Sequence, residues 1–179
     1  MPKVKFSINL FMHREAEFSE CRQYRYSLLI VWNPDFPVCA FIGLNPSTAD
    51  EICDDNTVRR CRGYAESWGC GGLLMLNIFA FRATEPRVMK AQASPIGGGN
   101  TLSHIKKRLA ACTGPHVAAW GTHGSFMGRG EAVAAAIPSL MCLAHNADGS
   151  PMHPLYQSKD LVPIPFIQKK VDAESPSVA

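Results

Sequence analysis

Uninterrupted apolar runs alternate along this chain with segments whose apolar positions recur every three or four residues. Val38-Cys-Ala-Phe-Ile42 is one such run. It shows no period-two alternation, as a strand covered on both faces requires. Gly72-Leu-Leu-Met-Leu-Asn77, His116-Val-Ala-Ala-Trp120-Gly121 and residues 139–144 predict three more short strands. The segment from Tyr24 to Trp32 is rich in aromatic and branched residues and also predicts a strand. Asn33-Pro34-Asp35-Phe36-Pro37 is a turn, so that strand and the Val38 strand are expected to pair as a hairpin.

The helical period appears in three places. Val58, Cys61, Ala65 and Trp68 form a stripe that predicts a helix over 57–68, capped by Asp55 or Asn56. Leu102, Ile105, Leu109 and Cys112 predict a second helix over 101–112, and an alanine-rich stretch predicts a third from about 131 to 137. Residues 1–20 show no clear pattern. Residues 78–99 read as a long Pro- and Gly-rich loop, and loops of that length are uncommon unless functional. The polar tail from about 171 is expected to fray. The alternation predicts a single α/β domain over 1–179, a three-layer α/β/α sandwich around a mainly parallel sheet of four to five strands.

Composition narrows the class. Of 179 residues, 46% are hydrophobic and 18% charged, as in an ordinary globular domain. No apolar run approaches the roughly 20 residues that span a bilayer, and no signal peptide is read at the N-terminus. A cytoplasmic monomer without membrane contact is the expectation. The seven cysteines form no Cys-x-x-Cys pair, so reduced and mostly buried thiols are expected, with no metal site. The acidic stretch from Asp50 to Asp55 suits helix capping and solvation better than a metal. Net charge is only +3, but Arg59, Arg60 and Arg62 cluster, as do Lys106, Lys107 and Arg108. Such clusters suit a phosphate-binding surface or a solvated helix face.

Polar residues stand where the apolar runs stop. Gly43-Leu44-Asn45-Pro46-Ser47 ends the Val38 strand abruptly: the glycine permits close approach, and the proline forces Asn45 out of helical geometry. Asn77 ends the next strand, and His153 follows the last. Open α/β sheets gather strand carboxyl ends along one edge, so Asn45, Asn77 and His153 are expected to share a pocket. An Asn can read a base edge or orient a water, and a His can donate to an oxygen gaining negative charge. The glycines at 97–99 and 124–130 match neither phosphate-loop nor dinucleotide fingerprints, so no cofactor is expected.

In this order, the motifs resemble the uracil-DNA glycosylase superfamily. Gly43-Leu44-Asn45-Pro46 looks like the Asn form of its first motif, Leu73-Leu74-Met75-Leu76-Asn77 like its Asn-ended strand, and Trp120-Gly121 like its strand ending in Trp-Gly. His153-Pro154 resembles its last motif, although Leu155-Tyr156 stands where that family has a phosphate-gripping Ser. The longer string Gly-Leu-Asn-Pro-Ser-Thr-Ala-Asp looks like a family known mainly as a domain of unknown function. The resemblance implies cleavage of the N-glycosidic bond of a damaged or modified base in DNA. Asn45 and His153 would be catalytic, with Gly43, Leu44, Pro46, Ser47 and Asn77 at the base. Arg59, Arg60, Arg62, Arg82 and Arg87 are expected at phosphates. The alternatives are a non-catalytic nucleic-acid or nucleotide binder and an enzyme acting on free modified nucleotides.

Overall fold

A computed structural model describes residues 12–47 and 54–167. The run at Val38–Gly43 forms strand β3, as numbered in chain order, and lies parallel to β4 (Gly72–Asn77) on one side and β5 (His116–Ala118) on the other. β6 (Met141–Cys142) continues the parallel set beyond β5. Three antiparallel strands flank this centre: β2 (Arg25–Val31) on β4, β1 (His13–Phe18) on β2, and β7 (Ile164–Pro165) on β6. The seven-stranded order is β1-β2-β4-β3-β5-β6-β7.

The sheet departs from the sequence expectation in two ways. It has seven strands instead of four or five, because the edge strands lack the apolar runs that mark the centre. β1 reads His-Arg-Glu-Ala-Glu-Phe and is mostly half-exposed, and β7 is only two residues long. The expected hairpin between β2 and β3 does not form, because β4 lies between them. The turn over 33–37 wraps the start of β4 instead of reversing in the plane. Trp32 and Asn33 both donate backbone N–H groups to the Gly71 carbonyl at 2.9 Å, and the Gly71 N–H donates to Pro37 at 2.8 Å. Gly71 is required there, since a Cβ would fall 1.9 Å from the Asn33 carbonyl oxygen.

Alternate side chains of the central strands enter two apolar clusters, which is why these strands read as continuous apolar runs. Cys39, Phe41, Leu73 and Met75 pack with Val58, Cys61, Tyr64 and Ala65 of α1 (Asn56–Ser67). Ala40, Ile42, Leu74 and Leu76 pack with residues of α2 (Pro86–Lys90), α3 (Leu102–Leu109) and α4 (Arg129–Ala136). Trp68, expected in the α1 stripe, is instead the half-buried C-cap residue, and Tyr64 is the fully buried aromatic. The two stack with Phe41, ring centroids 5.6–6.3 Å apart. α3 stops at Leu109, three residues early, where Cys112 N–H turns back to the Leu109 carbonyl at 2.9 Å.

The 78–99 segment is not wholly irregular, since α2 lies within it with Pro86 in its first turn, where a missing N–H costs nothing. Among the described cysteines, Cys39, Cys61, Cys70, Cys112 and Cys142 are free and buried, and Cys21 is free and exposed. No helix among the described residues is long and apolar enough to cross a membrane. Asp50, Glu51 and the tail from 171 lie outside the described residues.

Candidate functional site

A cavity of about 550 Å³ opens at the carboxyl ends of the parallel strands. Gly43 to Ser47 line it after β3, Asn77 at the end of β4, Trp120 and Gly121 after β5, and Asn146 and His153 after β6. The chain order of the parallel strands reverses between β4 and β5, on either side of β3, and such a reversal is where doubly wound sheets open a crevice. Asn45, Asn77 and His153 thus meet in one cavity, as their positions after strands led us to expect.

The two loops leaving β3 and β4 run side by side. The N–H groups of Ile78, Phe79 and Ala83 donate to the carbonyls of Gly43, Leu44 and Pro46, each at 2.9 Å. The Asn45 amide completes this seam: its Nδ2 donates to the Ala83 carbonyl at 2.8 Å and to the Pro46 carbonyl at 3.2 Å. Two carbonyl acceptors fix which end of the amide is nitrogen. The Oδ1 is left as an acceptor, with no donor to it among the described residues.

Asn77 is 5% exposed, and its side-chain amide makes no hydrogen bond among the described residues. Such an amide keeps both donor and acceptor for a ligand. Gly43 pairs with Asn77 across the ladder, and a Cβ on Gly43 would come within 2.9 Å of Asn77 Oδ1. The glycine therefore makes room for the amide. Behind it lies a buried polar network. Asn100 Nδ2 donates to the carbonyls of Asn77 and Ile78 at 2.9 and 3.1 Å. Arg129 Nε donates to Ile78 O at 2.9 Å, and its Nη2 to Asn100 O at 2.6 Å. Burial holds the Arg129 pKa below its ordinary value. This network fixes the backbone from which the Asn77 side chain projects.

His153 follows a turn closed by Asn146 and Ser150, and a Cβ on Gly121 would come within 3.9 Å of the His153 Cβ. The Leu155 N–H donates to His153 Nδ1 at 3.3 Å. A neutral ring accepting at Nδ1 carries its proton on Nε2, so His153 is set as a donor. The residue is exposed on its outer side, yet desolvation by the surrounding protein lowers its pKa, against the opposing pull of Asp55. The neutral donor form is therefore the dominant one at neutral pH.

Two charged residues in the wall were not singled out from sequence as site residues. Asp55 was expected only as a helix cap. It is that cap: its Oδ1 accepts the Val58 N–H at 2.7 Å while its Oδ2 accepts the Ser47 hydroxyl at 2.5 Å. Both oxygens are engaged in holding the Asn45 turn against α1. Asp54 pairs with Arg14 at 2.6 Å, so the acidic stretch serves structure where it is described. Arg25, 3% exposed, also lines the cavity; within Tyr-Arg-Tyr-Ser nothing marked it as buried.

The five arginines expected at phosphates do not line this cavity. Arg59 donates to Asn56 at 2.8 Å, and Arg60 to the Gln157 carbonyl. Arg62 pairs with Glu66 at 2.9 Å and lies over Trp32. Arg82 donates to the Arg22 carbonyl at 3.1 Å and lies over Phe18, and Arg87 pairs with Glu85. Arg59 and Arg60 border a second, smaller groove on the outer side of α1.

No curated protein and no solved structure matches the chain. One family model does, over residues 25–155, and it describes a protein of unknown function, DUF1643. That span begins at the start of β2 and ends two residues after His153, so it contains every wall of the cavity except Tyr156 and Gln157. The chain belongs to the DUF1643 family.

Proposed function

We propose that this protein hydrolyses the N-glycosidic bond of a damaged or modified base in DNA, on an α/β/α sandwich of the uracil-DNA glycosylase kind. One observation carries the reading: an oriented acceptor (Asn45 Oδ1), an unengaged amide (Asn77) and a neutral donor (the His153 ring) line one cavity. Those are the three groups that breaking a base–sugar bond calls for. As the bond between base and C1′ breaks, electrons move to the base and the sugar becomes cationic. A water, hydrogen-bonded to Asn45 Oδ1, adds to C1′ and loses a proton to solvent. The His153 donor stabilises the negative charge on the departing base, which then takes up a proton. Asn77 reads the base edge through its donor and acceptor. The target base leaves the stack to reach this depth.

The test is a glycosylase screen on oligonucleotides carrying uracil, mismatched thymine or hypermodified pyrimidines, with alkaline cleavage of abasic sites as readout. Strand cleavage on at least one substrate is expected. If every substrate stays intact while the free bases bind in the cavity, the protein is a binder and the hydrolytic reading fails.

A further inference from the structure

The smaller groove, about 340 Å³, lies between α1 and residues 159–160 and is lined by Arg59, Arg60, Gly63, Tyr64, Ser67 and Lys159, with Asp160 as its one carboxylate. We propose that it holds backbone phosphates of the same DNA strand whose base occupies the cavity; this rests on the reading above. Three cations and one anion line the groove, and a polyanion is the ligand that such a balance favours.

A second observation points the same way. Gly63 sits in the interior of α1, where glycine is the least favoured residue after proline. Nothing packs against it: a Cβ there would meet no atom within 4 Å, and its φ is an ordinary helical one. The missing side chain serves neither packing nor backbone geometry. It leaves the helix surface open on the floor of the groove, where a ligand can approach the backbone closely.

The groove is also joined to the cavity. Residues 155–157 line the cavity, and residues 159–160, just beyond Ser158, line the groove, so one strip of chain borders both. α1 fastens this strip at successive turns: Arg60 donates to the Gln157 carbonyl, Tyr64 OH to Ser158 O at 2.6 Å, and Trp68 Nε1 to Leu161 O at 3.0 Å. Arg59 and Lys159 stand on opposite sides, and neither holds the strip in place. A strand with one base in the cavity crosses this strip to reach the groove.

The experiment is fluorescence anisotropy of the full chain with a labelled single-stranded DNA of about 15 nucleotides, titrated at several salt concentrations. Arg59→Ala and Lys159→Ala should each make the dependence of log affinity on log salt shallower by about 1. Gly63→Gln, which fills the floor with a good helix former, should weaken binding several-fold without changing that slope. Lys107→Ala on α3, whose residues pack in the other apolar cluster, is the control and should change the slope little. No binding at low salt overturns the proposal, and so do groove variants indistinguishable from wild type or from Lys107→Ala. Base release is scored separately. Its failure with the groove effects intact removes the hydrolytic reading alone, and its success without them removes the groove alone.

Discussion

At the scale of single residues, the site depends on which atom of each polar group is already engaged. Asn45 has given its nitrogen to two carbonyls, Asn77 has given neither end of its amide, and His153 accepts at Nδ1. Gly43 follows from Asn77. Gly43→Ala would place a methyl 2.9 Å from Asn77 Oδ1 and push the amide aside, so the variant should remain folded by circular dichroism yet lose about 1–3 kcal/mol of discrimination between bases, measured as a ratio of kcat/KM values. Asn77→Ala should show the same loss. His153 sets a pH dependence. Its folded pKa is depressed below the ordinary 6.5, so its neutral form persists below that value and its contribution fades only in acid. Protonation would also oppose two donors, Nδ1–H and the Leu155 N–H. The rate should therefore stay flat through neutral pH and past 6.5 and fall only in more acid solution. Stability should instead begin to drop from about 6.5 downward, where the unfolded chain takes up this proton first. Asn45, Asn77 and His153 were legible in the sequence because each follows an apolar run or a proline turn. Arg25 was not, because its burial comes from the placing of β2, which no local pattern records.

At the scale of elements, β3, α1 and β4 were legible because each buries a face whose period shows in the sequence. The partner of β2 was not. A short turn predicts a hairpin, but the pairing with β4 spans some forty residues and is decided by the two apolar faces that β4 must cover. The support behind Asn77 was equally hidden, since Asn100 falls between the 78–99 loop and the helix expected from 101, and Arg129 falls among the glycines before the helix expected from about 131. Arg129→Met should remove the Arg129 donor to the Asn100 carbonyl and one of the two donors to the Ile78 carbonyl, and destabilise the fold by about 1–3 kcal/mol, measured by urea unfolding. The loss should fall on β4, so hydrogen exchange at Ile78 and Phe79 should quicken more than exchange within α1.

At the scale of the whole molecule, the parallel strands deliver their carboxyl ends to one side, and each contributes residues to the cavity. The α/β alternation makes that convergence readable in the sequence, whereas the antiparallel edges, which add no apolar run, are silent there. Asn45 and His153 come from segments more than a hundred residues apart, and neither side chain belongs to an apolar cluster, so each can be removed without dismantling the core. The most direct measurement is the single-turnover rate of base release from the preferred oligonucleotide for wild type, Asn45→Ala and His153→Ala, with folding checked by thermal melting. Each variant should melt close to wild type and lose about 100- to 1000-fold in rate, the usual effect of deleting one preorganised electrostatic group. Wild-type rates in both variants would contradict the account, because the bond would then be breaking without the two groups assigned to its charges.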